Sequence, residues 1–160
     1  MIIALYGEKR VGKDTVGDIL LKYIKYKRIA FADIPKDIIC KTFNITLEKF
    51  EEHKDHYRPF LINFAEYMKK IKGKDYWAKM ALESDIDKIL ITDLRFEEEY
   101  NYIKQFNPII IHIVDKNIPE KYIHKLPYNY EIDNTEKDLV KLEGQVLKVL
   151  EELNLYNVPF

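Results

Sequence analysis

The residues with the clearest chemical potential lie near the start of the chain, where Gly7, Glu8, Lys9, Arg10, Val11, Gly12 and Lys13 spell G-x-x-x-x-G-K. Glycines in such a loop let the backbone curl around phosphate oxygens, and the N–H groups at a following helix start favour negative charge. Lys13 then reaches the outer phosphates of a nucleotide. The general motif continues with a Ser or Thr whose hydroxyl binds magnesium, but here Asp14 holds that place and Thr15 comes one position later. A carboxylate beside a triphosphate is repelled unless a cation bridges the two. Asp14 is therefore a magnesium ligand, directly or through water, or a base near the attacking oxygen, or else an acid stabilised by the helix dipole.

Such a loop works only between a strand and a helix, and the flanking pattern supplies both. Residues 2–6, IIALY, are a short apolar run, and from Lys13 to about Tyr26 apolar residues recur at Val16, Ile19, Leu20, Tyr23 and Ile24, which predicts a helix with one apolar face. A second strand is expected over 28–32, RIAFA, and Pro35 suits the first turn of a helix that runs through IICKTF. The polar stretch 46–57 reads as helical, and a further helix follows Pro59, marked by Leu61, Phe64, Ala65, Met68 and Ile71 and interrupted at Gly73. Another helix is expected from Tyr76 to about Ser84. Then come a buried strand at 88–93, a helix over about 97–106, a strand in IIIHIV, a loop rich in Lys and Tyr, a short strand around YEI and a last helix over about 136–153. Strands alternating with helices predict an α/β fold, a parallel sheet of about five strands covered on both faces, with ligands beyond the carboxyl ends of the strands.

The chain has 160 residues, 47% of them hydrophobic, which suits one compact domain over 1–160. Its 26 Lys and Arg offset 27 Asp and Glu, so overall charge gives no reason to expect nucleic-acid or membrane-surface binding. The opening apolar run is too short for a signal peptide, and no stretch approaches the roughly 18 apolar residues of a spanning helix. A cytoplasmic location is the expectation. Cys40, the single cysteine, excludes an internal disulfide and reads as a buried helix residue. His53 and His56 lie three apart near Glu52, but EEHKDH reads as a solvated stretch rather than a metal site.

The loop GEKRVGKDT resembles the G-x-K-x-x-G-K-D-T loop of the phage-type deoxynucleoside monophosphate kinases. FADIPKD at 31–37 is similar to that family's F-A-D-P-x-K element, RPFLINFAEYMKKIKGKDYWAKM to its Arg-led helix followed by a Trp-containing one, and ITDLRFEEE at 91–99 to its strand-end Asp with an Arg two places on. EIDN at 131–134 resembles the strand before its last helix. The resemblance spans nearly the whole chain, and its specific parts are the loop and the T-D-x-R-F element. It implies a P-loop kinase fold with a helical acceptor-binding insertion at about 33–85 and a short lid at about 115–129. The implied activity moves the γ-phosphoryl group of ATP, with Mg2+, onto a (deoxy)nucleoside monophosphate. A homodimer is implied too, to which the apolar tail LYNVPF could contribute unless it tucks back on the chain's own core.

On this resemblance the loop residues Gly7, Lys9, Arg10, Gly12, Lys13 and Thr15 bind the nucleotide, and Lys13, Asp14, Asp93 and Arg95 act in transfer. Asp93, at a strand end, is the second acid beside Asp14 that orients magnesium and its water; the alternative is a strand-end acid capping the next turn. Arg95 carries five fixed donors suited to a phosphoryl group in transfer, unless it pairs with Glu97, Glu98 or Glu99. The chain has only four arginines, Arg10, Arg28, Arg58 and Arg95. Arg58 is the candidate for the acceptor's phosphate, with Asp33 and Lys36 lining the same pocket. The lid contains Lys116, Lys121, Lys125 and tyrosines but no arginine, leaving charge neutralisation to Arg10 or Arg95. Tyr122, Tyr128 and Tyr130 could stack on adenine or simply pack. Competing readings are a P-loop kinase for another small phosphorylated acceptor, of phosphomevalonate or dephospho-coenzyme A type, and a regulatory nucleotide-binding module without transfer activity.

Overall fold

Strand β1, Ile2–Tyr6, is buried along its whole length, and the alternation of its side chains divides the core in two. Ile3 and Leu5 enter one apolar cluster, and Ile2, Ala4 and Tyr6 enter another. This computed structural model describes residues 1–83, 87–121 and 125–156. Four further strands, β2 Lys27–Ile29, β3 Ile89–Leu94, β4 Ile109–Val114 and β5 Tyr130–Asp133, join β1 in one sheet of order β2-β3-β1-β4-β5, every pair parallel. A strand buried on both faces must be apolar at successive positions, which is why β1, β3 and β4 read as continuous Ile-rich runs rather than alternating ones.

Helices cover both faces. Helix α1, Lys13–Tyr23, and α7, Leu139–Glu152, pack with Ile3 and Leu5. On the opposite face lie Trp77 and Ala78 of α5, Tyr76–Ala81, and Ile103 of α6, Glu97–Ile103, with Phe64, Ala65 and Met68 of α4, Lys54–Lys72, packed against them. Helices α2, Asp33–Phe43, and α3, Leu47–Glu52, enclose a smaller cluster around Ile39, Cys40 and Phe50. Cys40 is thus the buried helix residue its neighbours in sequence suggest. Among the described residues no helix is long and apolar enough to cross a membrane.

Several boundaries depart from the sequence pattern, each for a visible reason. Strand β2 stops at Ile29 rather than continuing to residue 32, because the amides of Phe31 and Ala32 donate to the Asp93 carboxylate instead of a strand partner. Helix α4 begins at Lys54 and runs through Pro59, so Arg58 and Pro59 lie inside a helix, not at its threshold. The break comes earlier, at His53, and Pro59 falls in the second turn, where its missing N–H removes a single hydrogen bond. Helix α1 ends at Tyr23 because Ile24 is extended. Helix α6 gives way at Lys104 to a single 3-10 turn. Helix α7 starts at Leu139 because the Asp138 carboxylate caps the amides of Val140 and Lys141 at 2.9 and 3.2 Å, leaving Glu136 outside. Ser84, the expected end of α5, and Tyr122 of the expected lid lie outside the described residues.

Candidate functional site

The carboxyl ends of the parallel strands carry nearly every residue singled out by chemistry. The loop of residues 7–12 leaves β1 and runs into α1, with Gly12 in the position before the first helical residue. Gly12 has φ 101°, and a Cβ there would lie 2.3 Å from the Asn134 side-chain nitrogen; one on Gly7 would lie 2.3 Å from the Ile113 carbonyl. Both positions therefore demand glycine. Arg10 also sits in the left-handed region, with φ 70°, which puts an L-residue under mild strain and helps turn loop amides toward one concavity. Lys9 and Arg10 are exposed and Thr15 is half-buried.

Lys13 is buried, and its Nζ donates to the carbonyls of Gly7 at 2.8 Å and Glu8 at 2.7 Å. An ammonium has three donors, so one remains for a ligand. Burial, helped by the positive charge of Arg95, brings the Lys13 pKa down to about 8, while Asp14, Asp93 and Glu8 act in the opposite direction. Arg95, Asp14 and Asp93 therefore lie near enough to Lys13 for their charges to act on its ammonium. The fold thus brings together the four residues expected to act in transfer.

Asp14 is mostly exposed in the first turn of α1, and its Oδ1 accepts from the Arg28 guanidinium at 3.0 Å. The Arg28 Nε in turn faces the Thr92 hydroxyl at 3.4 Å, linking β2, β3 and α1. Asp93, at the end of β3, uses both carboxylate oxygens: Oδ1 accepts from Phe31 N at 2.8 Å and Oδ2 from Ala32 N at 2.9 Å. The residue keeps some exposed surface, yet enclosure of the carboxyl pushes its pKa up from the usual carboxylate range against those two hydrogen bonds and the charge of Arg95. Each oxygen retains a second lone pair. Arg95 is exposed, and among the described residues its guanidinium forms no ion pair with Glu97, Glu98 or Glu99; only its backbone amide is held, by Glu99 at 3.0 Å.

The expected acceptor residues are only partly gathered. Asp33 and Lys36 line a cavity of about 450 Å³ with Asp37, Cys40 and Leu47. Lys36 is committed to Glu51 at 2.7 Å and lies 3.6 Å from Asp33. Arg58 is exposed on α4 and does not line that cavity. Arg58 thus stands within α4, rather than in a turn before it, and does not join Asp33 and Lys36 in lining that cavity. In the β4–β5 connection, the Tyr128 ring packs 5.1 Å from the His112 ring, which stacks on Tyr6 at 4.3 Å, so Tyr128 is part of a packed aromatic group. Lys121 reaches the loop by its amide, which donates to the buried Glu8 carboxylate.

Three residues were not singled out from the sequence. Asn134, buried just past β5, donates from Nδ2 to the Val11 carbonyl at 2.8 Å and so braces the loop beside Gly12. Arg28 holds Asp14. Glu99 accepts from the amides of Arg95 and Phe96. Weak signals existed: a polar Asn ending an apolar strand, an arginine in a chain with few, and an acid three positions into a helix whose preceding residue is an apolar Phe.

No protein-family model matches the sequence, and no curated protein does at a significant level. Among solved structures, the chain is similar to a shikimate kinase from Aquifex aeolicus, with a TM-score of 0.51 at 15% identity over 98% of this chain and 100% of that one. It also matches an unliganded sugar kinase from a Janibacter species with a TM-score of 0.49 at 13% identity over 96% of this chain and 94% of that one. The first of these likenesses identifies the fold as that of a P-loop kinase, a five-stranded parallel sheet with helices around it.

Proposed function

We propose that this chain transfers the γ-phosphoryl group of ATP to a (deoxy)nucleoside monophosphate. The observation that carries the reading is the convergence of Lys13, Asp14, Asp93 and Arg95 at a glycine loop on the carboxyl edge of a P-loop kinase sheet. A module that only bound nucleotide would need the loop and Lys13. It would have no use for a guanidinium that is unpaired among the described residues and two acids whose charges act on the same ammonium.

In this reading an oxygen of the acceptor's phosphate forms a bond to the γ-phosphorus as the bond from that phosphorus to the bridging oxygen breaks, and ADP leaves. The loop amides and Lys13 hold the β- and γ-phosphates, and Arg95 meets negative charge on the moving group. Hard carboxylate oxygens suit magnesium, so Asp14 and the free lone pairs of Asp93 would hold it, Asp93 through water. Held by those acids, magnesium would supply positive charge that offsets the negative charge of the phosphates. The Asp14–Arg28 pair is exposed enough to exchange readily, so it does not block Asp14 from that use. Arg58 is assigned to the acceptor's phosphate, and α2–α5 with the 115–129 connection form the acceptor-binding insertion and lid. This solvent-facing chemistry suits a cytoplasmic protein that neither binds nucleic acid nor sits on a membrane; dimerisation belongs to the same reading.

Acceptor-dependent ADP release, measured over a panel of deoxynucleoside and ribonucleoside monophosphates together with phosphomevalonate and dephospho-coenzyme A, tests this reading. Turnover is expected with one or more monophosphates. Turnover with another phosphorylated acceptor alone would reassign the substrate, and ATP binding without any acceptor-dependent turnover would reduce the chain to a binding module.

Asp14 gives a sharper test of the site. Asp14→Asn should lower turnover by at least about a hundredfold, the lower end of what a positioned acid or base contributes. Raising magnesium concentration should recover part of the loss if the carboxylate binds the ion and none if it acts as a base. An unchanged rate with a lowered melting temperature would instead make Asp14 a helix-dipole acid.

A further inference from the structure

Glu97, Glu98 and Glu99 open α6 in succession, but only Glu99 is buried. Burying a carboxyl is unfavourable unless hydrogen bonds compensate it. Here they do: Oε2 accepts from the Arg95 amide at 3.0 Å and from the Phe96 amide at 3.0 Å. Glu99 is the third residue of α6 and Phe96 the residue before the helix, so the carboxylate reaches back to the helix entrance as in a capping box. From the other side, the Lys69 ammonium of α4 lies 4.2 Å from the centroid of the Phe96 ring. The Arg95–Phe96 turn is therefore held from α6 and from α4.

The guanidinium of Arg95 has no such support, since among the described residues nothing pairs with it. The backbone from which it extends sets where the side chain starts and limits where it can reach. That backbone follows Asp93 at the end of β3, and the charge of Arg95 is felt by both Lys13 and Asp93. We propose that Glu99 is a positioning residue for phosphoryl transfer: by fixing the amides of Arg95 and Phe96 it aims the Arg95 guanidinium at the phosphoryl group held over the glycine loop. The inference rests on the kinase reading above. It goes beyond a helix cap, because a cap acts on stability whereas Glu99 acts on rate and only through Arg95.

The test is a double-mutant cycle in which kcat and both KM values are measured for the wild type, E99D, R95A and the double variant, with E99Q alongside. Aspartate keeps the charge but stops one methylene short of the amides. A displacement of about 1 Å can cost about a hundredfold in rate, so E99D should lower kcat by roughly 30- to 100-fold while KM changes by less than about threefold. E99Q keeps an acceptor oxygen at the same reach and should stay within about threefold of the wild type. In the R95A background E99D should cost less than about twofold, since residues that act as a unit are not additive. Amide exchange at Arg95 and Phe96, read without any acceptor, should accelerate at least about tenfold in E99D if the carboxylate holds the turn. Should E99D melt below assay temperature, E99A completes the cycle, because alanine favours helix and leaves the same amides unheld. Equal losses in the wild-type and R95A backgrounds, an unchanged kcat, or unchanged exchange would each overturn the proposal alone. A wild-type chain with no acceptor-dependent turnover would overturn the kinase reading and this proposal together.

Discussion

Lys13→Ala is expected to reduce turnover by at least about 10²- to 10³-fold, the usual loss when one preorganised donor to a developing charge is removed. The side chain spends two donors on the Gly7 and Glu8 carbonyls and has one left for phosphate, so its loss both loosens the loop and removes the charge. The fold should survive, because a buried ammonium is itself unfavourable. The pKa of Lys13 falls from its ordinary 10.5 to about 8 in the folded chain. Between those values the unfolded chain binds the extra proton, so Lys13 becomes less of a burden on stability as pH rises from about 8 to about 10.5. A melting curve at neutral pH should therefore show the Lys13→Ala variant folded at assay temperature.

The same pKa makes a second measurement possible. Above pH 8 the ligand-free protein carries a largely neutral Lys13, and phosphates draw the proton back on binding. ATP affinity should then fall by up to about tenfold per pH unit above 8, accompanied by proton uptake in calorimetry. Lys13→Met should bind weakly at every pH and lose that slope. Near-normal activity in Lys13→Ala would remove the loop from the proposed chemistry, whereas a wild-type affinity independent of pH between 7 and about 9.5 would mean that Lys13 keeps its proton in the folded chain.

Arg95→Ala should lower kcat by about a thousandfold or more, the range of arginines that neutralise a phosphoryl group in transfer, with little change in ATP affinity. The contrast with Arg58 makes the prediction specific. Arg58 is exposed on α4, and in the proposed role it grips the acceptor's phosphate equally in ground and transition states. Arg58→Ala should raise the acceptor KM and leave kcat largely intact. Binding energy used equally in both states lowers KM without speeding the chemical step. If Arg95→Ala proved silent, the charge-neutralising role would pass to Arg10, which is also exposed and stands in the loop itself. If Arg58→Ala changed neither constant, the acceptor would have to sit nearer the cavity of Asp33 and Lys36, which Arg58 does not line.

The amino-acid order alone determined the parts of this molecule whose causes are local. The run IIALY, the glycines at 7 and 12 and the spacing of Val16, Ile19 and Leu20 lie within a few residues of one another, so strand, loop and helix were legible together. The same holds for β3 and β4, whose apolar runs reflect burial on both faces, and hence for the parallel α/β class. Lys13, Asp14 and Asp93 could be picked out because a loop next to a strand and an acid at a strand end are sequence positions before they are places in space.

Tertiary structure decided what depends on partners far along the chain. Asp93 ends β2 early by taking the amides of Phe31 and Ala32, 62 and 61 residues away. Asn134 braces Val11 across 123 residues. Arg28 finds Asp14 only after β2 joins β3. The sequence suggested grouping Arg58 with Asp33 and Lys36, but α4 begins at Lys54 and runs through Pro59, and Arg58 does not line their cavity. Three glutamates in a row were equivalent as letters, and only burial in the fold singles out the third, although the Arg95 and Phe96 amides that it accepts lie within four residues of it. Local pattern fixes which element a residue occupies, whereas the direction of a side chain at the sheet edge follows from long-range hydrogen bonds that no window of sequence contains.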